Sequence, residues 1–375
     1  MKTLNNTVKF VKRAAGRPTP DVFALRSEAL PELKQDQFLL RNNYLSMDPA
    51  LVGRMRDENN YAEQVHIGDT MHAYGIGQVI KSNNKNVKVG ELRFGRVDMQ
   101  EFTIADNHQN FKAINLGLAQ ASWYLSAVGI TGATAYFALL DIGQPKKGET
   151  VLISSGASSV GRVAAQIAKI IGCKVVGIVS TEKKAQELMR SVDYDHVVTY
   201  RGKTTEQLSN ELSVACPTGV DVYFDNTSGD ISEAVMEYYN DYARIVVVGR
   251  VAISHLADTR QDVGRRDNNL LLTKRIKKQG FVILDYQDRM KGAFIILADW
   301  IKQGKITIKE DIVNGLENAP DAFFRMLNGT SQGKQLVKLA EIDDALDPSP
   351  RAIGRMMLAN WFPTQKLAKK LTGGI

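Results

Sequence analysis

The chain has 375 residues, of which 44% are hydrophobic and 24% charged, an ordinary globular composition whose length suits two domains better than one. Its only cysteines, Cys173 and Cys216, exclude a disulfide scaffold and a four-cysteine zinc site, and they favour a reducing, cytoplasmic compartment. A net charge of +7 suits an anionic cofactor or substrate but is also common in soluble proteins, and no apolar run predicts a transmembrane helix or a signal peptide.

Residues 1–122 are predicted to form a mostly β domain, because turn-forming residues recur between short strands such as 74–80 and 101–104. Residues 305–342 return to this style, with a helix near 321–327 and a strand at 335–339. We therefore predict one domain built from both ends of the chain, with a second domain inserted at 123–304.

The inserted segment alternates apolar runs rich in β-branched residues with helical segments. Continuous apolar runs are typical of strands buried on both faces of a parallel sheet, and here they lie at 150–154, 174–179, 196–199, 221–224, 244–248 and 280–284. Apolar residues at helical spacing predict a helix over 160–171. This alternation predicts a doubly wound α/β domain of the Rossmann type.

The strongest chemical signal is the turn SSGASSVG at 154–161, which follows a predicted strand and opens a helix. Gly156-x-Ser158-x-x-Gly161 matches the dinucleotide fingerprint except at its middle position. A pyrophosphate binds at a helix N-terminus because free N–H groups and the helix dipole favour negative charge there. We predict dinucleotide binding at this turn; the alternative is an ordinary tight strand–helix connection.

The end of the second predicted strand favours NADP over NAD. An NAD site needs an acidic residue at this position to bind the ribose hydroxyls, whereas the strand ends in Ser180-Thr181. Lys183 and Lys184 follow, and hydroxyls followed by lysines suit a 2′-phosphate. Glu182 is interpreted as a first-turn acid behind a Thr181 N-cap. The alternative for the two lysines is a solvated helix face.

Two basic regions leave alternatives open. Arginines and lysines gather between residues 244 and 278, either beside the cofactor cleft, where they would receive an anionic substrate, or on a solvated loop. Nucleic acid is not an expected partner, because no aromatic platform accompanies these charges. The tail 343–375 is interpreted either as a basic amphipathic segment for a membrane surface or protein partner, or as a helix that packs on this chain or a dimer mate.

Several segments together carry a family resemblance: YLSMDPALVGRM at 44–55, ITGATAYFALLDIG at 130–143, GVDVYFDNTSG at 219–229 and GFVILDY at 280–286. The chain resembles the zinc-independent branch of the medium-chain dehydrogenase/reductases, in particular the NADPH-dependent prostaglandin, alkenal and curcumin reductases. The resemblance implies a Rossmann domain inserted in a GroES-like catalytic domain, and a homodimer. It also implies hydride transfer from NADPH to the β-carbon of an α,β-unsaturated carbonyl.

The resemblance implies roles for individual positions, which we combine with Gly156 and Ser180 from the analysis above. The positions expected at NADP(H) are Gly156, Ser158, Ser159, Val160 and Gly161 at the pyrophosphate, Ser180, Lys184 and Tyr200 at the 2′-phosphate, Ser331 where the family has a phosphate-contacting asparagine, and Asn226, Gly249, Phe281 and Leu284 around the nicotinamide and its ribose.

On the substrate side, Arg54 and Met55 match the catalytic-domain wall of the cleft, and Tyr61 matches a tyrosine near the substrate. Hydride transfer needs a donor that polarises the carbonyl and a proton for the α-carbon. The expected donor is Tyr61 or a cofactor hydroxyl, with His255 as a second candidate or else a loop histidine. With 5 histidines and no ligand-spaced cluster, we expect no metal. The alternatives to a double-bond reductase are a catalytically weak NADP-binding sensor or scaffold, and a quinone-type oxidoreductase.

Overall fold

The structure is a computed structural model. It describes residues 3–14, 16–57, 63–254, 256 and 259–346. Tyr61, His255 and the tail from residue 347 onward therefore lie outside the described residues. No helix within the described part of the chain is long and apolar enough to cross a membrane.

The N-terminal part forms the larger share of the GroES-like domain. Its elements are β1 Leu4–Phe10, β2 Phe23–Ala29, β3 Phe38–Ser46, α1 Leu51–Arg54, β4 Tyr74–Ser82, β5 Leu92–Arg96, β6 Phe102–Ala105 and β7 Lys112–Ala113. Strands β1 and β2 form an antiparallel pair. Strands β3, β4, β5 and β7 are successive neighbours in the main sheet, and β6 also pairs with β3.

The Rossmann domain follows. Its strands are β8 Thr150–Ser154, β9 Lys174–Val179, β10 His196–Thr199, β11 Val220–Asp225, β12 Tyr239–Val247 and β13 Lys277–Gly280. Its helices are α2 Ile130–Phe137, α3 Ser159–Ile171, α4 Glu182–Ser191, α5 Thr205–Ala215, α6 Gly229–Val235, α7 Asn268–Thr273 and α8 Met290–Lys302. The strands form one parallel sheet in the order β10-β9-β8-β11-β12-β13.

This strand order creates a crevice. The chain winds outward from β8 through β9 to β10 and then returns to place β11 on the other side of β8. Ligands of such sheets bind at the carboxyl ends of the strands where the winding direction changes. The turn after β8 and the turn after β11 therefore face one another across the expected binding crevice.

The chain then returns to the first domain through β14 Glu310–Asn314, α9 Ala319–Leu327 and β15 Lys334–Lys338. Strand β15 pairs with β3, so both ends of the described chain share one sheet. One apolar cluster connects the two domains, because it contains Ile76 and Leu92 of the GroES-like sheet together with Ala298 of α8. The residues at the start of the predicted tail stay on this domain, since Gln78 hydrogen-bonds both the N–H and the carbonyl of Asp343 at 2.9 Å.

The predicted strand at 280–284 is wrong. Strand β13 ends at Gly280, and a 3₁₀ helix, Ile283–Arg289, follows. The apolar run belongs to a side-chain cluster instead, because the ring of Phe281 lies 5.0 Å from that of Tyr286 and is 8% exposed. The true strand, KKQG, lies at the sheet edge with every side chain exposed, so no hydrophobic pattern marked it.

Candidate functional site

The glycine-containing turn after β8 is held in one conformation by two side-chain hydrogen bonds and by close packing at Gly161. Ser158 is the N-cap of α3, and its Oγ accepts the Gly161 N–H at 3.1 Å; such a cap contributes about 1 kcal/mol. A Cβ at Gly161 would lie 2.6 Å from the Ser155 carbonyl oxygen, so only glycine fits there. The buried Tyr194 hydroxyl donates to the Gly156 carbonyl at 3.1 Å. The middle serine thus replaces the usual glycine by serving as a helix cap.

This geometry leaves donors free at the helix end. Ser159 and Val160 are the first two residues of α3, where backbone N–H groups have no partner within the helix. Within the described residues, no other acceptor takes up these two N–H groups. The turn is therefore a fitting cradle for a phosphate group.

A second group of polar side chains follows the end of β9. Ser180 is 8% exposed, and its Oγ has no hydrogen-bond partner. The interpretation of Glu182 as a first-turn acid is confirmed, because Thr181 caps α4 by accepting the Lys184 N–H at 3.4 Å. Lys183 is exposed, whereas Lys184 is half-buried.

Lys184 faces another cation and a turn of the other domain. Burial, and then the nearby Arg201 guanidinium, lower the pKa of the Lys184 ammonium. A Cβ at Gly329 would lie 3.6 Å from the Lys184 Nζ. Arg201, directly after Tyr200, donates to the Asn328 carbonyl at 3.4 Å. Two cations of the Rossmann domain thus meet the 327–331 turn of the GroES-like domain, which also contains Ser331.

Sequence reasoning missed Arg201 and the residue that holds the turn opposite it. Arg17 donates to the Leu327 carbonyl and to the Asn328 side chain, both at 2.8 Å. Arg201 could have been predicted, because it closely follows β10, and β10 lies next to β9, whose carboxyl end was expected to bind the 2′-phosphate. Arg17 was not, since 310 residues separate it from Leu327.

At the floor of the crevice, hydrogen bonds connect the end of β8 with the turn after β11. The Asn226 backbone N–H donates to Ser154 Oγ, and its side-chain amide donates to the Ser154 carbonyl, both at 2.8 Å. The buried Asp225 carboxylate accepts two backbone N–H groups of the 227–228 turn at 2.9 Å. A Cβ at Gly249 would lie 2.8 Å from the Asn226 carbonyl oxygen. These contacts fix a tight floor next to the glycine-containing turn.

Two other predicted cofactor contacts differ from each other in exposure. Phe281 is buried, and its N–H donates to the Val247 carbonyl at 3.0 Å. Leu284 is 40% exposed. Only the backbone of Phe281 is therefore fixed to the sheet, while Leu284 presents its side chain at the surface.

On the GroES-like side, the segment after α1 reaches the Rossmann domain. The Arg56 guanidinium donates to the Ser254 and Leu256 carbonyls. Arg54 is half-buried, and its guanidinium carbon lies 5.7 Å from the centre of the Tyr74 ring. Met55 is 5% exposed and belongs to the apolar core of its own domain. Its position favours packing, so Arg54 is the stronger candidate for the cleft wall.

Four basic side chains of the run 244–278 form ion pairs within the described part of the chain. The pairs are Arg244 with Glu149, Arg265 with Glu237, Arg275 with Asp241 and Lys278 with Asp267. Arg244 in addition donates to the Gly143 carbonyl at 2.9 Å, on the side of the sheet away from the crevice. These four charges are therefore compensated by carboxylates of the same domain.

Two family models match the chain: an N-terminal domain of oxidoreductases over residues 6–113, and a zinc-binding dehydrogenase domain over residues 159–299. The NADPH-dependent curcumin reductase of Escherichia coli is 33% identical, over 91% of this chain and 99% of the relative. The chain belongs to the medium-chain dehydrogenase/reductase family. Prostaglandin reductase 1 of Sus scrofa is 34% identical over 87% of this chain and 97% of the relative.

A solved structure of another member shares the same fold. CurA of Vibrio vulnificus, crystallised in complex with NADPH, is 35% identical and superposes with a TM-score of 0.84 over 90% of this chain and 99% of that one. Together, these relatives place the chain in the double-bond reductase branch of the family.

The description of the second family model names zinc, which the donor set here does not fit. No three His, Cys, Asp or Glu side chains in the described part of the chain lie together as a metal site would require. Cys173 and Cys216 are both buried, and burial raises the pKa of each thiol to about 12. Cys173 and Cys216 belong to two different apolar clusters of the Rossmann domain, so both thiols contribute to packing.

Proposed function

We propose that the protein is an NADPH-dependent reductase that acts without zinc on the C=C bond of α,β-unsaturated aldehydes or ketones. The observation that carries this proposal is the phosphate cradle at Gly156–Gly161 combined with the Lys184 and Arg201 cations. The relatives named above, reductases of curcumin and prostaglandins, support the substrate class.

The residues present fit NADPH. The free N–H groups at Ser159 and Val160 suit its pyrophosphate. The unpartnered Ser180 hydroxyl and the Lys184 ammonium suit its 2′-phosphate. Tyr200, whose N–H donates to the Val179 carbonyl at 3.0 Å, and Ser331, two residues after the Gly329 that lies near Lys184, are proposed to complete this site. An ion that brings negative charge between Lys184 and Arg201 would also relieve the repulsion between these two cations.

The remaining cofactor positions are proposed from the floor of the crevice. Asn226, held by Ser154, would orient the nicotinamide ribose, and Gly249, packed against the Asn226 carbonyl, would border the nicotinamide ring. The backbone around Phe281 and Leu284 would complete its surroundings. When bound, NADPH supplies the hydride that the β-carbon of the substrate receives.

The protein's own contribution is positioning and protonation. As the β-carbon gains the hydride, charge moves to the carbonyl oxygen, and a donor near that oxygen stabilises the developing enolate. The α-carbon then takes a proton, which completes the saturated carbonyl. We propose Tyr61 as the donor, with His255 as the second candidate, and Arg54 on the wall that orients the substrate. The Arg56 contacts with the 254–256 segment would hold this wall against the Rossmann domain and exclude water.

The test is consumption of NADPH with a panel of enones, enals, acyl thioesters and quinones, using NADPH deuterated at its transferable position. Deuterium at the β-carbon of a reduced enone or enal is expected. Binding of NADPH without reduction of any panel member would favour a sensor or scaffold instead. Reduction of quinones alone would favour a quinone oxidoreductase. Loss of activity after treatment with a zinc chelator would contradict the zinc-independent assignment.

We also propose a homodimer in the cytoplasm. Strand β13 lies at an edge of the Rossmann sheet with all its side chains exposed, and open edges invite pairing with another chain. Leu272, nearby in sequence, is 76% exposed. Light scattering on the purified protein checks the dimer.

The role of the tail beyond residue 346 stays a prediction. It is a segment that binds a membrane surface or a protein partner, or one that packs on this chain or a dimer mate.

A further inference from the structure

The turn 327–331 of the GroES-like domain begins where α9 ends, at Leu327. The last carbonyl groups of a helix have no partner within it, and their partial negative charge attracts cations. The Leu327 carbonyl accepts a hydrogen bond from Arg17 at 2.8 Å, and the Asn328 carbonyl accepts one from Arg201 at 3.4 Å. Cations from two distant parts of the chain, one in each domain, therefore meet at this helix end.

The segment that carries Arg17 packs on the same helix. Arg17 lies in the connection between β1 and β2, and Phe23 is the first residue of β2. The Phe23 ring lies 5.7 Å from that of Phe323 and 5.9 Å from that of Phe324, and all three rings belong to the apolar core of the domain. Because both partner rings are on α9, these contacts anchor the segment along the helix and place Arg17 near its end.

Arg17 binds the side chain of the turn as well as its backbone. The Nη2 atom that donates to the Leu327 carbonyl also donates to Asn328 Oδ1 at 2.8 Å. The next residue, Gly329, has a φ of +65°, the left-handed conformation that commonly follows a helix end. A Cβ at Gly329 would lie 3.6 Å from the Lys184 Nζ. The residue that Arg17 holds thus directly precedes the point where the turn comes close to Lys184.

Asn328 connects this support to the Rossmann domain. Its side chain accepts from Arg17, while its carbonyl accepts from Arg201. A turn that shifted would therefore move the Arg201 guanidinium relative to Lys184. Charged hydrogen bonds depend steeply on distance and angle, so a phosphate that needs both cations would be bound less well.

We propose that Arg17 is a positioning residue for NADPH. By holding Asn328, it keeps the 327–331 turn, and with it Arg201, in place at the 2′-phosphate. The inference rests on the proposed reductase function and identifies a residue, remote in sequence from the Rossmann domain, that sets the preference for NADPH over NADH. Arg17 acts through Asn328 rather than on the phosphate itself.

The test uses two nucleotides that differ only in the 2′-phosphate. Adenosine 2′,5′-bisphosphate and AMP are each titrated calorimetrically into the full-length protein. The unmodified protein should bind the bisphosphate more tightly, and Arg17→Met should lower the ratio of the two affinities at least about fivefold, a typical coupling within one hydrogen-bond network. Arg17→Lys should restore part of the ratio. Asn328→Ala leaves every cation in place and should lower the ratio as well, while the affinity for AMP, which reports on the fold, changes little in each variant.

Arg41→Met is the matched control. Arg41 also connects the first part of the GroES-like domain to the returning chain, because it donates to the Glu341 carbonyl at 3.2 Å. Glu341 follows the end of β15, however, whereas the turn 327–331 precedes its start. The affinity ratio should therefore survive this change.

An unchanged ratio in Arg17→Met overturns the inference. An unchanged ratio in Asn328→Ala also overturns it, because the charge of Arg17 would then act on the phosphate without the turn. Equal binding of both nucleotides to the unmodified protein would refute the 2′-phosphate site itself, and the inference with it. A preference that falls in Arg17→Met, without turnover of any enone, would leave the role of Arg17 standing and refute the reductase.

Discussion

Replacing Lys184 with methionine should weaken NADPH binding selectively. The change removes the ammonium that lies half-buried beside Arg201 and Gly329 but keeps an unbranched side chain of similar length. NADH has no 2′-phosphate, so its affinity depends little on this charge.

The magnitude follows from the surroundings of the ammonium. A hydrogen bond to a charged group contributes about 1.5–3 kcal/mol, and each 1.4 kcal/mol is tenfold in Kd. Because Arg201 remains to bind part of the phosphate charge, we expect the Kd for NADPH to rise about 10- to 100-fold. The Kd for NADH should change by less than about threefold, because removing one exposed charge typically changes a free energy by less than about 1 kcal/mol.

Fluorescence titration of both nucleotides measures this difference. Lys183→Met is the matched control, because it makes the same charge change one residue away on an exposed position of α4. A similar loss of NADPH affinity in both variants would mean that only net charge matters. An equal loss of affinity for NADPH and NADH in Lys184→Met would mean that the 2′-phosphate does not bind at Lys184.

Three further predictions concern the glycine-containing turn after β8, Arg201 and the buried His72. Gly161→Ala would place a Cβ 2.6 Å from the Ser155 carbonyl oxygen, so NADPH affinity should fall at least about tenfold in calorimetry. Gly292→Ala, where the added Cβ meets nothing within 4 Å, should instead leave binding unchanged and raise helix stability by up to about 1 kcal/mol. Arg201→Gln should weaken NADPH more than NADH in the same titrations, and an equal effect would assign Arg201 a purely structural role. Burial lowers the pKa of His72 from 6.5 to about 4, so as the pH falls below 6.5 the unfolded chain binds a proton that the folded protein does not, and the folded protein loses stability. His72→Gln removes this group. Between neutral pH and about pH 4.5, urea unfolding of the variant should therefore show a loss of stability that is smaller by roughly 2–3 kcal/mol. The same pH dependence in both proteins would show that His72 is not protonated on unfolding.

The α/β architecture and the first phosphate cradle were accessible from the sequence because they depend on local patterns. The apolar runs that became β8, β9 and β10 match the predicted bounds, since strands buried on both faces must be apolar throughout. The N-cap at Thr181 was marked by residue type and position, because a helix end needs a side-chain acceptor next to it. The capping role of Ser158 emerged only from the structure.

The tertiary structure alone decided which distant residues share a site. Arg201 and Arg17 meet at the Asn328 turn, although the first part of the GroES-like domain and the first three strands of the Rossmann sheet lie between them in the sequence. Arg54 at the end of α1 rests on the ring of Tyr74 at the start of β4, a contact that no local sequence pattern marks. Strand β13 escaped prediction for a related reason: its exposed polar side chains carry no hydrophobic pattern, and only backbone pairing with β12 makes it a strand. Periodicity specifies which surface an element buries, whereas the packing of two sheets specifies which side chains meet.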